Sequence, residues 1–226
     1  MNRLSLSQFV RSKCGISGTD ATTVSASGEW ANVVSAVDEA YEKIQTERED
    51  WLFLRKSFSF VTVAEQGEYE YDAAPLSLTD FGSWVDDQFR IYKTSIANET
   101  WLLQYKDYDA FRNQFLIGSI RTQYSAPTCI VVSPSKSLIL GLAPEDTSYT
   151  VSGYYWRSPH EMTLDADEPI LPSKFHKIIA YKAIEMLGVN EVATELIDYY
   201  RSEYADFMAR MEREQLPTMT VDRSFL

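Results

Sequence analysis

The two histidines of the chain, His160 and His176, bracket the stretch "HEMTLDADEPILPSKFH", with Glu161, Asp165, Asp167 and Glu168 between them. Imidazole nitrogens and carboxylate oxygens crowded this closely are the donor set of a divalent metal site, which would make the stretch the centre of a metal-dependent hydrolase. The spacing argues otherwise. It is not His-Glu-x-x-His, and "DADEP" lacks the glycine and the distal glutamate of a calcium-binding loop. The residues read instead as a polar connection with no metal ligand among them, its acids standing ahead of a helix N-terminus and suiting that dipole.

Other chemistry finds less support. No Gly-x-Ser-x-Gly elbow occurs, and two histidines leave few candidates for a general base. Cys14 ends a short amphipathic helix and Cys129 lies in the apolar run "TCIVVS"; both read as buried, reduced thiols rather than as a nucleophile or a disulfide. The Ser- and Thr-rich loop "ISGTDATTVSASG" lacks the Gly-Lys-Ser/Thr ending of a phosphate cradle. No pair of acids is singled out for glycoside hydrolysis. The aromatics of "EYEYD" and "SGYYW" allow a sugar-binding β-domain as an alternative, although aromatics alternating along a strand belong more often to a core face. No catalytic residue and no cofactor follow from these patterns.

With 226 residues, 45% of them hydrophobic and 13% aromatic, the chain is long enough to bury a sizeable core. Its net charge of -12 is spread along its length. No basic block exists to grip phosphate, which excludes tight nucleic-acid binding by this chain alone. The start "MNRLSLSQF" has no continuous apolar region of a signal peptide, and no stretch approaches the length of a membrane span. A cytosol-like compartment and no membrane partner are expected.

The elements follow from periodicity. A first helix is expected with Ser5 and Gln8 as a capping box and Gly15 as its left-handed end. A longer helix opens near Ser27, with Trp30, Val33, Val34, Val37, Tyr41 and Ile44 on one face. From Ser57 to Trp156 the period becomes two, in "SFSFVTV", "EYEYD", "QFRIY", "TWLLQY", "TCIVVS", "SLILGL" and "SYTVSGYYW". One helical interruption, "DYDAFRNQFL", places Tyr108, Phe111 and Phe115 together. After Pro172 the helical period returns, with a helix from Ser173 ended by Gly188 and another capped by Asn190. Leu196, Tyr204 and Phe207 of that last helix are expected to bury against Val33, Val37 and Ile44. The fold class is therefore α+β: a helical bundle made by the two ends of the chain, carrying an inserted antiparallel β-sandwich or barrel. The expected divisions are residues 1–55 and 163–215 for the bundle, 56–162 for the insert and 216–226 for an extended tail.

The order of these segments resembles the head-to-tail adaptor proteins of tailed bacteriophages, the group that includes tail tubular protein A. The resemblance rests on "GISGT", "GEWANVVSAVDEAYEKIQTEREDWLFLR", "FRIY", "SPSKSLILGLAP", "YTVSGYYWRSPHEMTLDADEPILPSKFHKIIAYKAIEMLG" and "YADFMARMEREQLP", in that order and spacing. It implies assembly rather than catalysis: a ring, usually of twelve copies, beneath the portal protein, with a tail nozzle or tube protein and tail fibres below. Genomic DNA would pass through the channel without sequence-specific binding. It also implies a place in the neck of a virion assembled in the bacterial cytoplasm. An acidic channel would let DNA slide where a basic one would hold it. The tail "LPTMTVDRSFL" alternates apolar and polar residues after a finished helix. Since the resembling family reaches its portal through the C-terminal end, Leu216, Met219, Val221, Arg223, Phe225 and Leu226 are the expected contacts to the portal or to a neighbouring copy.

Overall fold

A computed structural model describes residues 1–16, 22–191 and 194–217. The chain divides into two compact units, Met1–Leu54 with Pro159–Leu226, and Arg55–Ser158.

The first unit is helical: α1 Arg3–Cys14, α2 Gly28–Thr46, α4 Lys177–Glu191 and α5 Thr194–Gln215, the label α3 belonging to a helix of the other unit. The cap of α1 differs from the expected box. Asn2 is the N-cap, its Oδ1 accepting the Ser5 N–H at 2.9 Å, and Ser5 stands inside the first turn with its hydroxyl donated to the Asn2 carbonyl. An asparagine competes for that place as well as a serine does, so the chain starts its helix earlier. Gly15 ends α1 at φ 69°, a left-handed conformation that glycine adopts without a Cβ penalty.

Helix α4 organises the unit. Ile178, Ile179, Ala180, Ala183 and Ile184 are all buried, so apolar residues run around much of its surface, and α1, α2 and α5 each pack against it. It does not end at Gly188 but continues through Asn190 to Glu191. A Cβ at Gly188 would come within 2.6 Å of Ile197 Cγ1, so this glycine permits the close approach of α5 instead of terminating α4. The expected contact of α5 with α2 is likewise revised. Phe207 is half-buried with its ring edge-on to Tyr181 of α4, centroids 5.5 Å apart, and the Tyr204 hydroxyl donates to Glu47, just past the end of α2, at 2.8 Å. The buried face of α5 is made by Tyr200, Met208 and Met211; the side chain of Leu196 lies outside the described ones.

The second unit holds nine strands in two sheets and α3 Tyr108–Phe115. In the first sheet β9 Tyr149–Arg157 is central. Along one edge it pairs the full length of β1 Arg55–Val61; along the other it pairs β3 Phe81–Trp84 and β4 Arg90–Lys93, and β4 pairs β5 Ile96–Leu102. The second sheet has the order β2 Glu68–Tyr69, β8 Leu138–Leu140, β7 Cys129–Val132, β6 Gln104–Tyr105. Neither sheet closes on itself as a barrel, and β6 runs parallel to β7, a departure from the all-antiparallel expectation. Phe58, Ile91, Val151 and Tyr155 of the first sheet and Tyr69, Ile130, Leu138 and Leu140 of the second belong to one continuous core. On the far side of β7, Phe111 of α3 is fully buried with Cys129, Val131 and Ile139, so the expected apolar face of that helix has a matching floor.

Candidate functional site

The stretch carrying both histidines lies in the helical unit, and its groups are already engaged. His160 is tied to α2 three times. Its N–H donates to Gln45 Oε1 at 2.8 Å, Gln45 Nε2 donates to its carbonyl at 3.0 Å, and its Nδ1 lies 3.2 Å from the Tyr41 hydroxyl. The Tyr41 hydroxyl also accepts the Ile170 N–H at 2.9 Å, so one buried tyrosine fixes both ends of the loop.

Between those ends the acids serve α1 and the Thr22–Thr23 segment. The carbonyls of Asp167 and Asp165 accept the N–H groups of Arg3 and Leu4 at 2.8 and 3.3 Å, satisfying donors that a helix leaves free at its first turn. The Asp165 carboxylate accepts from the Thr23 hydroxyl at 2.5 Å, the Thr23 N–H at 2.6 Å and the Thr22 hydroxyl at 2.7 Å. These bonds, the Thr23 hydroxyl first, hold its pKa below the ordinary carboxylate range. Asp167 folds back on its own loop, accepting from the N–H groups of Leu164 and Thr163 at 2.7 and 2.8 Å, and its pKa is lowered by the same two donors.

Arg3 is the hub, and composition gave no signal for it. Its guanidinium meets Asp38 of α2 through Nε at 3.0 Å and Nη2 at 2.5 Å, while Nη1 donates to the Thr163 carbonyl at 2.8 Å and the Thr23 hydroxyl at 3.2 Å. Four segments distant in sequence thereby share one side chain. A cleft of about 570 Å³ runs beside it, bordered by Asp38, Glu39, Tyr41, Glu42, His160 and Glu161.

His176 belongs to a different environment. It is 3% exposed, with Nε2 3.0 Å from the Leu171 carbonyl and Nδ1 2.6 Å from the Met1 amino group. An amino group must donate and a carbonyl must accept, so the ring is neutral with its proton on Nε2. Burial is the main cause holding its pKa below the usual histidine value, and the Met1 charge acts in the same direction. The two histidines therefore hold separate partners. Among the described residues, no group of three His, Cys, Asp or Glu is gathered in metal-binding geometry.

The remaining expectations fall as follows. Tyr69 of "EYEYD" is fully buried and Tyr71 packs on the core, while in "SGYYW" Tyr155 is buried and Tyr154 stands exposed beneath the Arg55 guanidinium. Cys129 is buried and Cys14 partly so; burial raises both thiol pKa values, and neither is in a disulfide. Leu216 follows α5, half-buried, with its N–H donated to the Glu212 carbonyl at 3.0 Å. Met219, Val221, Arg223, Phe225 and Leu226 lie outside the described residues.

What this arrangement can do is fasten: its polar side chains hold an N-terminal helix, a returning loop and α2 to one another, as in an architectural protein of α+β class. The family model of the SU10 adaptor protein matches residues 1–223, and the chain belongs to that family. It is thus a structural adaptor of bacteriophages, a virion component that joins other phage structural proteins. No curated protein matches it. Among the described residues no helix is long and apolar enough to cross a membrane.

Proposed function

We propose that the chain is a head-to-tail adaptor that forms a ring of twelve copies between the portal and the tail nozzle or tube, with tail fibres attached below, and lines the channel through which the genome passes. The observation that carries this reading is a family match running through both units of the chain, so that the helical and β-rich parts belong to one adaptor plan. In this reading the helices form the ring-building bundle and the two sheets with their shared core form an inserted sandwich-like domain, at divisions near residues 55, 162 and 215. The protein performs no catalysis and carries no metal or cofactor. Assembly takes place in the host cytoplasm, and DNA slides past an acidic surface without sequence-specific contact.

The tail from Leu216 to Leu226 is the proposed contact to the portal or an adjacent copy. Imaging of the native particle tests the whole reading: a twelvefold ring containing this chain at the neck is expected, and its absence from the neck overturns it. Deleting residues 217–226 should leave thermal stability unchanged and weaken portal attachment severely. A deletion that unfolds the monomer and spares portal affinity removes the tail from the interface. Stoichiometric metal in the purified protein, lost on changing His160, Asp165 and His176 together, would return the hydrolase reading.

A further inference from the structure

The outer face of the five-stranded sheet has a composition unlike the rest of the chain. Phe58, Phe60, Ile91, Val151 and Tyr155 point into the core, so alternation turns their neighbours outward. Cross-strand register then sets Arg55 opposite Trp156, and Arg90 opposite both Ser152 and Leu102, on that outer face. Tyr92 and Tyr154 complete it, the Arg55 guanidinium lying 4.2 Å from the centre of the Tyr154 ring. Tyr154 is 41% exposed and Leu102 56%. The outward positions of β1, β4 and β9 include no acid, although the chain carries 33 of them.

Arginine, tyrosine and tryptophan around exposed aliphatic residues, without carboxylates, is the make-up of a protein interface centre. Charge identifies the occupant. The helical unit carries 12 Lys and Arg against 21 Asp and Glu, and the β-rich unit 9 against 12, so the acid excess resides mainly in the helices. Two arginines are too few to grip nucleic acid.

We propose that this face is a contact between copies, in which Arg55, Arg90, Tyr92, Tyr154, Trp156 and Leu102 of one copy seat against the acidic helical unit of the next. The inference rests on the ring reading and deepens it. Unlike patches meeting head to tail generate a ring when the rotation closes. The strands β1, β9, β4 and β5 are seven, nine, four and seven residues long, and at about 3.3 Å per residue and about 5 Å between strands they give a face of roughly 450 Å². That is about half of one side of a standard stable interface. A pair of copies is therefore held weakly, and ring closure, in which every copy uses both patches, supplies the avidity.

The test replaces Tyr154 with the photo-crosslinking residue benzoylphenylalanine in chain assembled into phage particles. The expected product joins two copies, with the captured peptide from residues 1–54 or 159–217. In parallel, R55E/R90E should lower ring recovery at least tenfold with the melting temperature of the monomer unchanged, and the neutral R55Q/R90Q, safer for folding, should give a smaller loss. Crosslinks to DNA, to the portal or to a tail protein overturn the proposal, as does an intact ring with both double variants or with no crosslink at all. Wild-type particles without rings would instead sink the ring reading itself.

Discussion

Replacing Arg3 by methionine keeps the aliphatic stem and removes only the guanidinium. That group is 11% exposed as a side chain and makes two bonds to Asp38, one to the Thr163 carbonyl and one to the Thr23 hydroxyl. A hydrogen bond to a charged partner contributes about 1.5–3 kcal/mol net and a neutral one about 1 kcal/mol. Asp38 is itself 36% exposed, so water recovers part of the ionic contribution. The expected loss is about 2–4 kcal/mol. Urea denaturation measures the total, and amide hydrogen exchange locates it. The amides of α1 should lose about a hundredfold of protection, since about 1.4 kcal/mol corresponds to tenfold. The control is Lys43→Met, whose partner Glu39 is one turn away on the surface with both side chains half exposed. It should change stability by no more than about 0.5 kcal/mol. A loss below about 1 kcal/mol for Arg3→Met, with α1 protection unchanged, would refute the assignment of Arg3 as the fastener of the N-terminal helix.

Phe111→Ala removes a fully buried ring between α3 and β7 and should cost about 3–5 kcal/mol in chemical unfolding. Phe207→Ala truncates a half-buried ring and should cost less, about 1–2 kcal/mol; a loss as large as that of Phe111 would mean a deeper burial of α5. His176 has its pKa lowered in the folded state, so the unfolded chain binds more protons: stability is complete above about pH 6.5 and declines as pH falls below it. A pH series of melting temperatures should show that decline, and His176→Gln should flatten it. Asp165→Ala should free the Thr22–Thr23 segment to proteolysis, whereas Glu161→Ala, at an exposed residue, should leave cleavage unchanged.

The alternation of elements was legible because burial imposes its period on sequence. Tyr108, Phe111 and Phe115 marked α3, and the strand runs marked eight of the nine strands found, "TWLLQY" covering two of them. β3, "FGSW", escaped because a glycine and a register shift break its alternation. Gly188 was misread because a glycine that ends a helix and a glycine that admits a neighbouring helix look alike in one dimension. The acidic loop was legible as the connection from the last strand back to the helices. Its partners were not. Arg3, Thr23 and Gln45 meet the loop across more than a hundred residues, and no local period records such pairs.

The ladder of β1 and β9 also bears on how the molecule reaches its fold. Arg55 and Trp156 are opposite neighbours in that ladder, so the first and last strands of the β-rich unit begin and end side by side. In the unfolded chain, bringing the helical segments on either side of these roughly one hundred residues together costs on the order of 4 kcal/mol in loop entropy. Once the ladder forms, that cost has been met by strand pairing, and α2 and α4 become near neighbours along the effective contour. If strand pairing meets that cost first, refolding followed at α4 should trail refolding followed at β9, and the reverse order would refute it.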